Sequence, residues 1–491
     1  MYKNIFEHLN AKKILILGFG SEGKSSYRFI KDNIDRINPA EVAVADLNEV
    51  SENLDFEGYK VNKILGDNYL DAMSDFDLIL KSPGIHFNIF NKKIVDDHWE
   101  LEEFPGVEIT CQMDLFLRYS KAQIIGVSGS KGKSTTTSLV YQVLKNAFPD
   151  AYLLGNIGVP VLDHFSELKE DSYCAVEMGV HQLEFCLRSP HVAILTNIHE
   201  EHLDHYKDYA DYKYSKFNLI RWQSSDDFLI VPEDETELLE AIQDIYKSKL
   251  IFVKDLLKTN SSSVAEKLSS DLIKRYSLEE NKKFIFVDLQ KDAHKEYKLL
   301  ENHHILGRHN EINTLLALAS SEVFTGEIEK GIVSVKEFNG LEHRLEYVGE
   351  VKGIKFFNDS IATIPEACKL AIEALQPLGK VSTLLMGGLD RNIDYTELVE
   401  FLFEKKINNI ICFPDTGKDI IAIAEKINVD MDFKINAILV NTMKEAVDLA
   451  FEVTKADEIC LLSPAAASYN QYKNFAERGK AFKDEIKAHE L

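Results

Sequence analysis

Apolar residues in this chain gather in short unbroken runs, separated by polar stretches rich in Gly, Pro, Asn and Asp. Runs of about four to eight apolar residues bounded by such turn signals read as strands buried on both faces. The first runs from Lys12 to Leu17. The turn Gly18-Phe19-Gly20-Ser21-Glu22-Gly23 follows, then a helical stretch to Ile34, then a strand from Glu41 to Ala45 that ends at Asp46. Phe76 to Leu80 predicts a further strand, before the loop Lys81-Ser82-Pro83-Gly84-Ile85. In the middle of the chain, Ile124–Val127, Tyr173–Glu177 and Val192–Asn197 predict strands, and Thr135–Leu144 a helix. Residues 255–290, with scattered charges and the run Thr259-Asn260-Ser261-Ser262-Ser263, predict peripheral loops and helices. Gly307 to Asn313 precedes an Ala/Leu-rich helical run. Beyond Gly340 the alternation resumes, with strands at Ile354–Phe357, Val381–Met386, Ile410–Phe413 and Glu458–Leu462 and helices at Ile364–Leu375 and Tyr395–Phe403. Strands alternating with helices predict parallel sheets covered by helices, an α/β class. A length of 491 residues suits about three domains.

Composition narrows the function. A hydrophobic fraction of 45% supports several cores. The net charge of −24 argues against a general nucleic-acid binder, which carries a basic face. It leaves room for a local basic pocket and anionic small molecules. Six cysteines show no C-x-x-C spacing and sit mostly in apolar runs, which predicts buried thiols in a reducing compartment. The N-terminus lacks a signal-peptide core, and no apolar run approaches membrane-spanning length. The expectation is a cytoplasmic, monomeric protein acting on small molecules, with neither nucleic acid nor membrane as partner.

The chemistry concentrates at Gly129-Ser130-Lys131-Gly132-Lys133-Ser134-Thr135, between a predicted strand and a predicted helix. That context suits a phosphate-binding loop: glycines let backbone N–H groups approach phosphates, and the helix N-terminus adds partial positive charge. Lys133 would reach the β- and γ-phosphates, and the Ser134 hydroxyl would bind Mg²⁺. The strict pattern fails at its first glycine position, which is Val127. Gly18-x-Gly20-x-x-Gly23 with Asp46 makes a Rossmann-like opening that fits NAD, another nucleotide, or none. The Ser82-Pro83-Gly84 loop lies where open α/β sheets bind ligands, and equally suits a plain Pro-Gly turn. Glu177 and Asn197-Ile198-His199-Glu200-Glu201-His202 place polar groups at strand ends beside the phosphate loop, as a metal–phosphate site needs. The two histidines are three apart, so this is not the zincin H-E-x-x-H; the bland reading is a solvated loop.

Taken together these motifs resemble the Mur ligase family over nearly the whole chain. The resemblance rests on Gly126–Thr135, Gly155-Asn156-Ile157-Gly158, Glu177 with Gln182-Leu183-Glu184, Glu200–Asp204, Gly307-Arg308-His309-Asn310, His343-Arg344, Asn358-Asp359-Ser360, Gly387-Gly388, Ser463-Pro464-Ala465, and Lys473-Asn474-Phe475 followed by Arg478-Gly479. It is closest to the D-glutamate-adding branch. The resemblance implies a Rossmann-like domain over residues 1–111 for the UDP substrate, a central P-loop domain over 112–340 for ATP, and a Rossmann-like C-terminal domain over 341–491 for the amino acid. It implies ATP-dependent ligation of D-glutamate to UDP-N-acetylmuramoyl-L-alanine in peptidoglycan precursor synthesis. An acyl phosphate is the intermediate, and ADP and phosphate are released.

The implied cofactors are ATP and two Mg²⁺ ions. Lys133, His202 and Lys216 are the implied catalytic residues. Ser134, Glu177, His202 and a carbamylated Lys216 are the implied metal ligands; the alternative for Lys216 is a surface helix lysine. ATP would lie on residues 129–135 with Asn310, Arg344 and Asp359; the alternatives are an ion pair for Arg344 and a turn or helix cap for Asp359. Gly18, Gly20, Ser21, Asp46, Ser82, Pro83, Gly84, Asn156 and Gln182 would hold the UDP substrate, and His202 matches a contact there too. Thr363, Arg391, Ser468, Tyr469 and Phe475 would hold the amino acid, with Arg391 where a lysine is usual.

Three departures bear on the substrate. Gly179-Val180 replaces two serines near the acceptor, Ile361 and Ile364 replace a lysine and an asparagine near the reaction centre, and Leu47-Asn48 follows Asp46 where Thr-Arg is frequent. They keep open a related ligase for another amino acid, such as L-glutamate, or for a variant acceptor. A non-catalytic nucleotide-binding relative is a further alternative. A folylpolyglutamate-synthase-like ligase leaves the N-terminal domain unexplained. His181 is a candidate to compensate for the lost groups.

Overall fold

The computed structural model describes the chain except residues 1, 57–58, 202–204, 259–262, 301, 303–304, 306, 392 and 490–491. Three large sheets organise the described residues. Residues Met1–Glu301 with His309–Glu337 form one compact unit; Asn302–Arg308 with Phe338–Leu491 form a second.

The first sheet opens with Lys13–Leu17 (β1), whose last four residues are buried. The chain then turns at Gly18, at φ +86°, into the helix Ser21–Asp32 (α1). A Cβ on Gly23 would sit 2.0 Å from the Gly18 carbonyl oxygen, so the helix packs this close only with glycine there. The helix stops at Asp32, two residues before the expected end at Ile34. Asn33 leaves helical geometry and its amide donates back to the Phe29 carbonyl (2.9 Å). Glu41–Asp46 (β2), Asn62–Leu65 (β3), Leu78–Lys81 (β4), Lys92–Val95 (β5), His98–Leu101 (β6) and Phe104–Thr110 (β7) complete a sheet ordered β3-β2-β1-β4-β7-β6-β5. Strand β4 lies one to two residues later than Phe76–Leu80. It ends on the buried Lys81, which an ion pair with Glu184 (3.0 Å) holds inside.

The second sheet carries the phosphate loop. Gln123–Ser128 (β8) leads through it into Lys133–Ala147 (α2). Ala151–Gly155 (β9), Tyr173–Glu177 (β10), the short helix Val180–Leu183 (α3), Val192–Leu195 (β11), Tyr209–Lys216 (α4), Phe228–Pro232 (β12) and Lys249–Asp255 (β13) follow. Strands β8 to β13 pair in parallel. The segment expected as peripheral loops and helices does hold the short helix Ser263–Leu268, but its second half forms strands that extend the sheet. Leu272–Leu278 (β14) joins β13 in parallel, then Lys283–Asp288 (β15) and Ala293–Lys298 (β16) add antiparallel hairpins. The sheet runs β9-β10-β8-β11-β12-β13-β14-β15-β16. The charges that disguised β14 are paired within the fold: Lys274 with Glu322, and Arg275 with Glu233 (2.9 Å). Arg308–Thr325 (α5) begins at Arg308, directly after Gly307.

The third sheet contains Glu346–Val351 (β17), Ile354–Asn358 (β18), Val381–Met386 (β19), Asn409–Cys412 (β20), Asn436–Leu439 (β21) and Ile459–Leu462 (β22), in the order β17-β18-β22-β19-β20-β21. All pairs are parallel except β17 with β18. The helix Phe475–Ala488 (α6) closes the chain, and Asn474 caps it by accepting from the Glu477 N–H (2.9 Å). Within the first unit one apolar cluster runs from Leu17, Ile79 and Phe87 to Phe185, Leu195 and Tyr206, so the first two sheets share a core. All six cysteines are buried and free. Among the described residues no helix is long and apolar enough to cross a membrane.

Candidate active site

Strand β8 ends at Ser128, and the chain leaves it at Gly129, at φ +145°. A Cβ there would lie 2.0 Å from the Thr196 hydroxyl; at Gly132, φ +84°, it would lie 2.9 Å from Asn313 Oδ1. Both glycines are therefore required by backbone conformation and by space. The end of β11 holds the loop from the side. Asn197 Oδ1 accepts from the Ser130 (3.1 Å) and Lys131 (2.8 Å) N–H groups, and Thr196 Oγ1 donates to the Lys131 carbonyl (2.6 Å). Lys133 Nζ donates to the Gly129 and Ser130 carbonyls, both at 2.8 Å, so the ammonium lies over the loop at the start of α2. A helix N-terminus, a lysine and a glycine loop on one spot make an anion site.

Glu177 ends β10, in register with Val127 of β8. Its Oε1 accepts from Asn156 Nδ2 (2.7 Å), while Oε2 is buried and takes no hydrogen bond among the described residues. A buried carboxylate with an orphaned oxygen is costly in isolation. A hard divalent cation bound by oxygen would complete it, so Mg²⁺ fits here. Among the described residues no three His, Cys, Asp or Glu side chains are grouped to hold a metal. The expected set relies on Ser134 and Lys216 besides Glu177, and its fourth member, His202, lies outside the described residues.

Lys216, the last residue of α4, is 1% exposed and makes no ion pair among the described residues. Its Nζ donates to Ser130 Oγ (3.3 Å) and sits 4.7 Å from the Tyr212 ring centre. Burial, then repulsion from Lys133, pulls its pKa down to about 7. Ser130 ties the arrangement together, since its Oγ also accepts from the His199 N–H (2.9 Å) and lies 3.0 Å from the Tyr212 hydroxyl.

In the same unit, the expected UDP-substrate residues converge. Ser82 Oγ donates to the Gly18 carbonyl (2.7 Å), and Asp46 accepts from the Phe19 N–H (2.7 Å), binding the first glycine turn to the ends of β4 and β2. Gly20, Ser21 and Gly84 are exposed, and Pro83 is half-buried. Gln182 Nε2 donates to Glu22 Oε1 (2.5 Å), linking α3 to α1. Glu22, although inside the glycine motif, has no expected role; burial raises its carboxyl to about 7. Asn310, in the first turn of α5, accepts from Asn313, which lies against Gly132, so Asn313 links it to the phosphate loop.

The second unit gathers the remaining residues. Asp359 follows β18 and is buried, accepting from the Leu345 N–H and the Ser463 hydroxyl, both at 3.1 Å. Burial raises its pKa to about 7. Arg344 is exposed and its charge acts on Asp359. Ser468 is buried, Thr363 is half-buried, Arg391 is exposed, Tyr469 is 70% exposed and Phe475 is 37% exposed. Thr196, Asn313 and Arg478 carried no expected role, and Asn197 was expected only among the polar groups of a metal–phosphate site; all four position these loops. The polar pair ending the run Val192–Asn197 was the available signal for the first two.

Residues 127–321 match the Mur ligase middle domain, and residues 343–466 the Mur ligase glutamate ligase domain. The UDP-N-acetylmuramoylalanine–D-glutamate ligase of Clostridium botulinum is 30% identical, with 97% of each chain covered. The chain belongs to the Mur ligase family. The enzyme of the same name from Clostridium tetani is also 30% identical, covering 97% of this chain and 96% of its own. Two Mur ligases of known structure share the fold at low identity. UDP-N-acetylmuramate–alanine ligase of Thermotoga maritima has a TM-score of 0.56 at 16% identity, covering 97% and 99% of the two chains. The UDP-N-acetylmuramoylalanyl-D-glutamyl-2,6-diaminopimelate–D-alanyl-D-alanyl ligase of Acinetobacter baumannii has 0.54 at 14%, covering 99% and 92%. As a Mur ligase the protein is an ATP-dependent amino-acid ligase, and the family uses Mg²⁺.

Proposed function

We propose that this Mur ligase joins D-glutamate to UDP-N-acetylmuramoyl-L-alanine at the expense of ATP, in peptidoglycan precursor synthesis. The observation that carries the reading is identity of 30% over 97% of the chain to ligases of that name. The phosphate loop, Glu177 and buried Lys216, assembled in one unit, agree with it. The amino acid's amine cannot displace a hydroxide-like oxygen from a carboxylate. ATP supplies the leaving group by phosphorylating the alanine carboxylate, and the amine then displaces phosphate to give the amide. The protein's contributions are positioning and charge neutralisation.

Lys133, Ser134 and the backbone of 129–132 would hold the phosphates, with Asn310, Arg344 and Asp359 holding the nucleoside end and its phosphates. Mg²⁺ would supply charge neutralisation between phosphate and carboxylate. Glu177, Ser134, His202 and Lys216 would hold it. Lys216 as an ammonium would repel that cation. Its lowered pKa leaves much of the amine neutral near pH 7. The neutral amine can add CO₂ and lose a proton, turning the residue into an anionic oxygen donor. Residues 1–111, with Gly18, Gly20, Ser21, Asp46, the 82–84 loop, Asn156 and Gln182, would bind the UDP substrate. Residues 112–340 would bind ATP. Residues 341–491, with Thr363, Arg391, Ser468, Tyr469 and Phe475, would bind the amino acid. The reading places a monomer in the cytoplasm, acting on small molecules.

Ile361 and Ile364 favour one second reading, ligation of a different amino acid; Ile364 is 45% exposed beside Thr363. Phosphate release from ATP with Mg²⁺ and UDP-N-acetylmuramoyl-L-alanine, across D- and L-amino acids, separates the two. Release with D-glutamate alone is expected. Release only with another amino acid moves the reading to the second form, and none with any amino acid overturns both.

A further inference from the structure

Arg478, in the first turn of α6, is 2% exposed. Its guanidinium spreads over two loops. Nε donates to Ser360 Oγ (3.0 Å), one terminal nitrogen to the Ser360 carbonyl (2.8 Å) and the other to the Ala466 carbonyl (3.0 Å). Ser360 Oγ passes the link on to the Phe475 carbonyl (2.8 Å). Every acceptor is neutral, and among the described residues Arg478 makes no ion pair. A cation taken out of water normally has an anionic partner, because hydrogen bonds to neutral groups do not cancel its charge. Burial lowers its pKa only to about 10, so it stays charged at neutral pH.

The position of this unbalanced charge is informative. The loops it joins continue into Thr363 on one side and Ser468-Tyr469 on the other, and Phe475 lies one helical turn before it. Close packing leaves little freedom: a Cβ on Gly388 would sit 2.3 Å from the Ala467 carbonyl, and one on Gly479 would sit 2.3 Å from His343 Nδ1. Lysine could supply the charge but not the planar fork that reaches three acceptors on two loops.

We infer that Arg478 is the positioning residue of the amino-acid site: its fork fixes the 360–363 and 465–469 loops, and its uncancelled charge selects an acidic amino acid. This rests on the reading that those loops bind the incoming amino acid. A dicarboxylate bound there would be the missing counter-charge, acting through the loops rather than by contact with Arg478.

The test compares wild type, Arg478→Lys and Arg478→Met in phosphate release, varying ATP, D-glutamate and its neutral isostere D-glutamine. Arg478→Lys is expected to raise KM for D-glutamate about tenfold and to leave KM for ATP within about twofold. Arg478→Met is expected to shrink the ratio of kcat/KM for D-glutamate over D-glutamine by about tenfold, a change that loosened packing alone would not produce. An unchanged ratio in the Met variant overturns the inference. If that variant does not fold, the Lys variant decides, and equal rises in both KM values overturn it. Wild type inactive with every amino acid overturns the underlying reading as well; active wild type with unaltered variants overturns this inference alone.

Discussion

Single residues here show how burial changes what a side chain is. Lys216 would be an ordinary cation on an exposed helix; with 1% exposure and Lys133 nearby it becomes a titratable amine. If it carries a carbamate, ¹³C-bicarbonate should give a carbamate resonance in the wild-type protein that Lys216→Gln lacks. Turnover of that variant should fall at least about 100-fold, as for loss of a key charged group. A resonance that persists in the variant would place the carbamate elsewhere. Asp359 makes the opposite case, a carboxyl raised from 3.8 to about 7 by burial. The folded protein holds this proton more tightly than the unfolded chain. Its contribution is therefore fully present below about pH 4 and is lost as pH rises to about 7. Asp359→Asn should flatten that decline, gaining on the order of 4 kcal/mol on wild type at pH 8 relative to pH 4, read from urea midpoints. Parallel pH profiles for the two proteins would show that Asp359 is not the group responsible.

At the level of elements, charged residues inside the first unit do what apolar packing alone would not specify. Glu184, after α3, takes Lys81 from the end of β4 (3.0 Å) and Lys92 from β5 (3.1 Å), with His205 at 3.4 Å. Lys92 also pairs with Asp211 of α4 (2.9 Å). These cations hold Glu184 well below the usual carboxylate range despite its burial. Removing one member of such a network leaves buried charge uncompensated and typically costs about 3–5 kcal/mol. Glu184→Ala should lower stability by about that amount in urea unfolding of the full chain. A loss under about 1 kcal/mol would mean that water reaches the lysines. The network also accounts for the end of β4: Lys81 continues the strand because its partner is already in place.

Across the whole molecule, all six thiols are buried: Cys174, Cys412 and Cys460 in strands, Cys368 in the helix Pro365–Leu375, and Cys111 and Cys186 in loops against the Gln182 carbonyl of α3. Burial raises Cys174 and Cys368 to about 12 and pushes Cys412 and Cys460 up further. The thiolate is the reactive form, so the native chain should react with almost no Ellman's reagent within minutes, and all six thiols should react in guanidinium. Rapid labelling of a native thiol would reveal an opening that the fold does not show. The acidic balance of −24 is likewise a property of the whole surface and coexists with cationic loops at the phosphate site.

Local patterns carry much of this protein. Both glycine turns, the strands β1, β8, β10 and β19, and the free cysteines are readable from residue order. Apolar runs have few ways to be buried, and positive-φ positions admit little but glycine. The β14–β16 extension was not readable, because Lys274 and Arg275 look like surface charge until Glu322 and Glu233 are folded against them. The candidate site divides in the same way. Lys133, Glu177 and Lys216 stand out through their spacing in motifs. Asn197 clamping the phosphate loop, Asn313 against Gly132 and Arg478 joining two loops depend on contacts between distant segments. A residue's type limits the bonds it can make, but only the closed chain decides which partners and how much water it meets.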